Sequence, residues 1–171
     1  MAPDAKILAI EPDDRSVAQL KQNVLNARIS QRTHVLKAAV GENAGDGVVV
    51  RSQVSSTVSY VEMIQGSNIE MGETKMNELE MIPVLTLSTL LDISGPIDIM
   101  KIDCEGSEFP FFESADSSAL SKVKNIIGEY HIAQGSFDRL RRPLVRSGFE
   151  VRSLIENDVV GLFVATRSSS T

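Results

Sequence analysis

Three short apolar runs in this 171-residue chain each end in acidic residues, and this feature constrains the fold most. The runs are residues 7–10 before Glu11, residues 97–102 before Asp103 and Glu105, and residues 125–128 before Glu129 and His131. Consecutive apolar residues bounded by polar ones are typical of buried strands. Segments with helical spacing follow each run, so the pattern predicts an α/β fold with a mostly parallel sheet. Ligands bind such sheets at the carboxyl ends of the strands.

The remaining segments predict strands and connections around these three units. Residues 48–54 and 57–61 are rich in β-branched residues and predict a hairpin. Residues 63–82 have no clear period and predict a connecting loop or a methionine-rich lid. Residues 84–87 predict a short strand, and Ser88 is expected to cap a helix through Leu91. Two strands at 149–154 and 161–166 close the chain and supply the antiparallel C-terminal part of the sheet.

The composition excludes several classes of protein. A net charge of -6 disfavours binding to nucleic acid or anionic membranes, which requires a basic surface. The single cysteine, Cys104, excludes an internal disulfide and indicates a reducing cytoplasm. No secretory signal is recognisable at the start of the chain. The length suits a single domain over residues 1–171.

The segment from Ile99 to Glu108, IMKIDCEGSE, closely resembles the signature of the FkbM family of S-adenosylmethionine-dependent methyltransferases. The strand end LAIEP at residues 8–12, the segment LTLSTLL at 85–91 and the strand IIGEYH at 126–131 match other blocks of that family in the same order. The resemblance implies a Rossmann-like methyltransferase sheet. It also implies S-adenosylmethionine as the cofactor and methyl transfer to a hydroxyl of a sugar or secondary metabolite.

One element of the family is missing from the sequence. Family members begin with a strand and a glycine-rich turn, whereas the first glycine here is Gly41 and no G-x-G-x-x-G occurs. The chain is therefore expected to be an N-terminally truncated domain, whether a fragment or a naturally short protein. Its open strand edges would then close on each other or pair in a homodimer. The alternative function is a catalytically inactive binding or oligomerisation module.

Two residues are candidates for cofactor binding. A carboxylate at the position of Glu11 can accept hydrogen bonds from both ribose hydroxyls, and Pro12 follows it in the matching block. An ordinary acid at a strand-to-helix turn is the alternative interpretation. A nicotinamide-dependent oxidoreductase would also use such an acid, but the signature at residues 103–108 argues against that class.

Four residues are candidates for catalysis. Asp103 and Glu105 share one side if strand geometry continues through them, and Lys101 can pair with Asp103. Glu129 and His131 alternate onto one side of their strand, so that the carboxylate can orient the imidazole. These groups would act as bases or contacts for the acceptor. Glu108 is expected to support a helix N-terminus. Asp103, Glu105, Glu129 and His131 also offer oxygen and nitrogen ligands for a divalent metal, but no compact metal motif is present and no metal is expected.

Overall fold

The computed structural model describes residues 4–51, 59–63 and 80–167, and its chain divides into two units. The first contains the described residues up to Ala39 and from Gly45 to Val84, and the second contains Val40–Ala44 and Leu85 onwards. Each unit is described by itself. The structure leaves untested whether residues 1–171 form one domain, which stays a prediction. Across the described residues, no helix combines the length and apolar character needed to cross a bilayer.

The first unit begins with the predicted strand, helix and strand. These are β1 (Ile7–Glu11), α1 (Asp14–Asn26) and β2 (Thr33–Lys37). Asp13 is the helix cap: its carboxylate accepts hydrogen bonds of 3.0 Å from the amides of Arg15 and Ser16. Val17 and Val24 lie on the same face of the helix, two turns apart, and both are buried. β1 and β2 pair in parallel, from Ile7 opposite Thr33 to Glu11 opposite Lys37.

A second sheet follows, in the strand order β3-β6-β4-β5. Its strands are β3 (Ala39–Val40), β4 (Gly45–Arg51), β5 (Ser59–Met63) and β6 (Glu80–Leu85). The predicted antiparallel pairing of two strands is confirmed for β4 and β5, whereas the predicted turn and residues 52–58 lie outside the described residues. Residues 64–79 lie outside the described residues, and so does most of the predicted lid. Residues 80–82 belong to β6, so the predicted strand 84–87 has the wrong bounds.

The second unit holds the remaining elements. They are α2 (Leu87–Ser94), β7 (Ile97–Ile102), α3 (Glu108–Ser114), α4 (Ser117–Leu120), β8 (Val123–His131), α5 (Phe137–Arg146), β9 (Phe149–Glu156) and β10 (Val160–Arg167). Their strands form a sheet in the order β7-β8-β10-β9. β7 and β8 pair in parallel, whereas β10 is antiparallel to both β8 and β9. The predicted α/β class, with parallel and antiparallel strands, is confirmed.

One face of this sheet forms the core of the second unit. Met100, Ile126 and Phe163 are buried on three neighbouring strands, and Phe112 of α3 meets Phe163 edge-on at 6.3 Å between ring centroids. The opposite face is open: Ile99 is 71% exposed. Because side chains alternate along a strand, burial of every second residue places the others on the open face.

Candidate active site

The parallel pairing of β7 and β8 brings their carboxyl ends to one edge of the sheet. Ile102, the last residue of β7, lies opposite Gly128, so the next residue, Asp103, comes beside Glu129. Glu129 and His131 follow on the face opposite buried Tyr130. One ligand atom from each of Asp103, Glu129 and His131 lies within 4.8 Å of the others. The structure therefore brings together three of the four predicted catalytic residues.

The fourth predicted residue, Glu105, lies beside the same cluster because of a backbone turn that the sequence did not predict. β7 ends at Ile102, and Glu105 and Gly106 have φ angles of 53° and 104°. The expectation that strand geometry continues through Asp103 and Glu105 was therefore wrong, because the chain turns after β7. A left-handed φ is unfavourable for a residue with a Cβ. The turn nevertheless places Glu105 Oε2 3.3 Å from His131 Nε2.

Glu108 lies in the first turn of α3, as the sequence predicted, and it also joins the cluster, which the sequence analysis missed. Its side chain is fully buried at the first turn of α3. Oε1 accepts a hydrogen bond from the amide of Cys104 at 3.0 Å and lies 3.1 Å from His131 Nδ1. Among the described residues, Oε2 has no hydrogen-bond partner. Glu108 is thus part of the cluster, and its position at the end of the IDCEGSE motif was the available signal.

The contacts of His131 define its orientation. A carboxylate beside Nδ1 holds the imidazole in the form that carries a proton on that nitrogen. On the other side of the ring, Nε2 lies 3.3 Å from Glu105 Oε2 and 3.9 Å from Glu129 Oε1. The ring is therefore held by a buried carboxylate on one side and presented to two partly exposed carboxylates on the other.

Negative charge predominates around this imidazole. Lys101 lies 3.7 Å from Asp103, as the sequence predicted, but the Lys101 side chain is largely exposed.

Burial raises the pKa of the Cys104 thiol well above its ordinary value, and the charge of Glu108 adds to the effect. A neutral thiol is a poor nucleophile, so Cys104 is not a candidate for covalent catalysis.

A small pocket of about 150 Å³ adjoins the cluster on the open face of the sheet. It is lined by Lys101, Asp103, Ile127, Gly128, Glu129, Leu154 and Leu162. Apolar side chains from three strands thus lie beside polar groups at the strand ends. Such a combination suits a small molecule with both hydroxyl groups and an apolar part.

Glu11, the predicted cofactor residue, ends β1 in the first unit. Its Oε1 accepts a hydrogen bond of 2.9 Å from the amide of Asp13, and Pro12 connects the two. Partial burial raises the pKa of Glu11 above its ordinary value; the hydrogen bond from Asp13 opposes this shift, and the charge of Asp13 adds to it. A carboxylate at the end of a strand suits the predicted task of accepting hydrogen bonds from ribose hydroxyls.

Comparison with known proteins agrees with this arrangement of strands and acidic residues. The sequence profile of the FkbM methyltransferase domain matches residues 1–156. The chain belongs to the FkbM methyltransferase family. No curated protein with a similar sequence is found.

The structural comparison with an FkbM methyltransferase supports the fold. The crystal structure of the methyltransferase FkbM from Methylobacillus flagellatus KT has a TM-score of 0.53 and 18% identity over 92% of this chain. The METTL16 methyltransferase domain has a TM-score of 0.47 and 13% identity, over 95% of this chain and 50% of its own. This chain spans only 36% of the FkbM structure's own chain.

Proposed function

We propose that this protein transfers a methyl group from S-adenosylmethionine to a hydroxyl oxygen of a sugar or secondary metabolite. Membership of the FkbM family supports methyl transfer. The single observation that carries the choice of a hydroxyl acceptor is the cluster at the ends of β7 and β8, where carboxylates and an oriented imidazole meet. Hydroxyl groups need hydrogen-bond acceptors to hold them and a base to take their proton.

Glu105 is the proposed proton acceptor. S-adenosylmethionine supplies an electrophilic methyl group on a positively charged sulfur. When bound, it would give this methyl group to the acceptor oxygen and keep the electron pair of the broken carbon–sulfur bond on sulfur, while Glu105 would take the hydroxyl proton. His131 Nε2, 3.3 Å from Glu105, can share that proton by a hydrogen bond. The unfavourable φ of Glu105 fits a residue retained for its position in a site.

Asp103, Glu129 and His131 are proposed to position the acceptor. Their polar atoms converge within 4.8 Å, a spacing that suits hydrogen bonds to neighbouring hydroxyls. Ile127 and Leu154 offer an apolar wall in the adjoining pocket. Methyl transfer depends mainly on holding the two reactants in line. These three residues are therefore proposed to increase the rate mainly by positioning the acceptor.

Glu11 is proposed to hold the ribose of the cofactor, with Pro12 beside it. Calorimetric titration with S-adenosylhomocysteine, the demethylated product, tests this role directly. We expect binding by the 171-residue chain and its loss in Glu11→Ala. Asp46→Asn, an exposed carboxylate of the same unit, is the matched control and should bind like the unaltered chain. Equal binding by Glu11→Ala would contradict the assignment.

Turnover with hydroxylated acceptors tests the catalytic cluster. Loss of a general base costs about 10²–10⁴-fold in rate, and we expect Glu105→Gln to lose activity on this scale. Asp103→Ala and His131→Ala should also lose turnover while still binding S-adenosylhomocysteine. Unchanged turnover in these three variants would remove the catalytic assignments.

An inactive binding or oligomerisation module remains the second proposal. Its support is that no G-x-G-x-x-G occurs in the sequence. A folded chain that releases no heat with S-adenosylhomocysteine would favour this module over the enzyme. A small-molecule partner, a cytoplasmic location and a homodimer stay predictions. The net charge of -6 supports the first, because it disfavours nucleic acid and membranes as partners, and the single cysteine supports the second.

A further inference from the structure

We propose that Asp103, Glu129 and His131 form a binding site for one divalent metal ion. Two carboxylates and an imidazole are a common ligand set for divalent first-row metals. Their ligand atoms already lie within 4.8 Å of one another. An octahedral ion with bonds of about 2.1 Å separates its ligands by roughly 3 to 4.2 Å, so small side-chain rotations complete the site.

Glu108 provides an independent indication of a ligand at this position. Metal-binding histidines usually donate their other ring N–H to a carboxylate, which fixes the ring and strengthens its lone pair. Glu108 Oε1 lies 3.1 Å from Nδ1 of His131 in this arrangement. The Glu108 side chain is fully buried, and its second oxygen has no hydrogen-bond partner among the described residues. A buried polar oxygen without a partner is costly, and a ligand bound beside His131 would offset this cost.

The carboxylates around His131 also favour the binding of a cation. Glu105, Glu108 and Glu129 surround His131 at 3.3, 3.1 and 3.9 Å. Carboxylate oxygens thus lie beside both ring nitrogens. Lys101 is the nearby cation, but it lies 3.7 Å from Asp103 and its side chain is largely exposed to solvent. A metal ion between Nε2 and the carboxylates would bind the ring nitrogen and offset part of this negative charge.

The chemistry of the ligands favours an ion that accepts both oxygen and nitrogen, with Mn²⁺ as the most useful probe. Three protein ligands leave coordination positions open towards the pocket that Asp103 and Glu129 line. An acceptor hydroxyl bound there would become more acidic and would lose its proton to Glu105. This role of the ion rests on the proposed function, whereas the binding of the ion does not.

Titration of the metal-free full chain with Mn²⁺, followed by electron paramagnetic resonance in the absence of any methyl donor, tests the site. We expect one bound ion per chain, with affinity reduced at least about tenfold in Asp103→Asn and in Glu129→Gln. Asp98→Asn, on the same strand β7 and paired with Lys124 at the surface, is the matched control and should bind normally. No binding, or equal binding by all variants, would overturn the proposal.

Nuclear magnetic resonance distinguishes this site from nonspecific binding to surface acids. His34→Gln removes the other histidine of the chain, so the remaining imidazole signals belong to His131. We expect stoichiometric Mn²⁺ to broaden these signals, and Glu129→Gln to prevent the broadening. Glu108→Gln should weaken Mn²⁺ binding about 10–100-fold as a positioning residue. Sharp His131 signals at full Mn²⁺ occupancy would refute the site. Binding without turnover would refute the proposed function alone.

Discussion

Glu105 shows how one backbone angle places a functional group. Its φ of 53° turns the chain out of the β7 direction, and the carboxylate consequently reaches His131 Nε2. A residue with a Cβ is disfavoured in this region by roughly 1–2 kcal/mol. The site therefore carries a local cost in stability that the rest of the second unit offsets.

Glycine at this position should stabilise the protein. We expect Glu105→Gly to raise the free energy of unfolding by about 1 kcal/mol, because glycine adopts a positive φ without steric cost. Urea denaturation measures the change. Arg28→Gly is the comparison, since Arg28 has a φ of 56° after the end of α1. Glu105→Gln keeps the backbone cost and removes only the charge, so a gain from Gln equal to that from Gly would contradict the explanation.

The ion pair between Glu113 and Arg139 makes a prediction about pH. Two hydrogen bonds from Arg139, at 2.8 and 2.7 Å, lower the pKa of Glu113. The stabilisation from this pair is thus complete above the ordinary pKa of a glutamate and is lost as pH falls through the lowered value. We expect Arg139→Gln to raise the pKa of Glu113, as measured by carboxyl NMR titration. An unchanged pKa would show that the pair does not persist in solution.

Individual residues also show where sequence reasoning failed. Asp13 was predicted as a helix cap because its chemistry and its position before an amphipathic segment suffice to define that role. Glu108 was assigned only to a helix N-terminus. Its contact with His131 joins residues 23 apart in sequence, and no local pattern encodes such a contact.

At the scale of the element, β8 pairs with a strand on each side and has one buried and one partly exposed face. It lies between β7 and β10, with Gly128 opposite Ile102 on one side and Phe163 on the other. A Cβ added at Gly128 would lie 2.5 Å from Ile102 Cγ2 and 2.9 Å from the Ile102 carbonyl oxygen. The glycine therefore allows the strands to approach where the pocket begins.

Alanine at Gly128 should destabilise the sheet. We expect Gly128→Ala to lower the free energy of unfolding by about 1–3 kcal/mol, because the backbone oxygen of Ile102 cannot move away as a flexible side chain would. Lys124→Ala, at an exposed position of the same strand, should change it by less than about 0.5 kcal/mol. Thermal or urea denaturation of both variants provides the test. Equal stabilities would show that the strands separate easily at this point.

Element boundaries were less predictable than the elements themselves. Leu87 continues the apolar run that begins in β6, yet it is the first residue of α2, and Thr86 caps that helix in place of Ser88. An apolar residue suits either a buried strand or a buried helix face, so only tertiary packing decides between them. Short α4 was not predicted at all.

At the scale of the whole molecule, the two units carry different parts of the proposed chemistry. Glu11 belongs to the first unit, and the cluster around His131 belongs to the second. Membership of the FkbM family supports the proposal that both parts serve methyl transfer, and that proposal awaits the binding and turnover measurements. Because the chain spans 36% of the FkbM structure's own chain, methyl transfer by this chain has to be tested by experiment.

The pKa of Glu11 predicts how cofactor binding depends on pH. Only the ionised carboxylate accepts two hydrogen bonds from ribose, and burial raises the pKa of Glu11. Affinity for S-adenosylhomocysteine should therefore begin to fall at a higher pH than an ordinary glutamate would cause. Calorimetry from neutral to acidic pH measures this dependence. Glu11→Gln should bind weakly with a flatter pH dependence, and an unaltered pH profile in that variant would exclude Glu11 as its origin.

The sequence by itself determined the α/β class, the strands that end in acids and the family, because short-range patterns of apolar and polar residues encode these features. It also indicated which residues could share a site, since parallel strands bring their carboxyl ends to one edge. Only the tertiary structure decided how those residues meet. The left-handed turn at Glu105 and the burial of Glu108 against His131 depend on packing between distant segments, whose energies no local pattern contains.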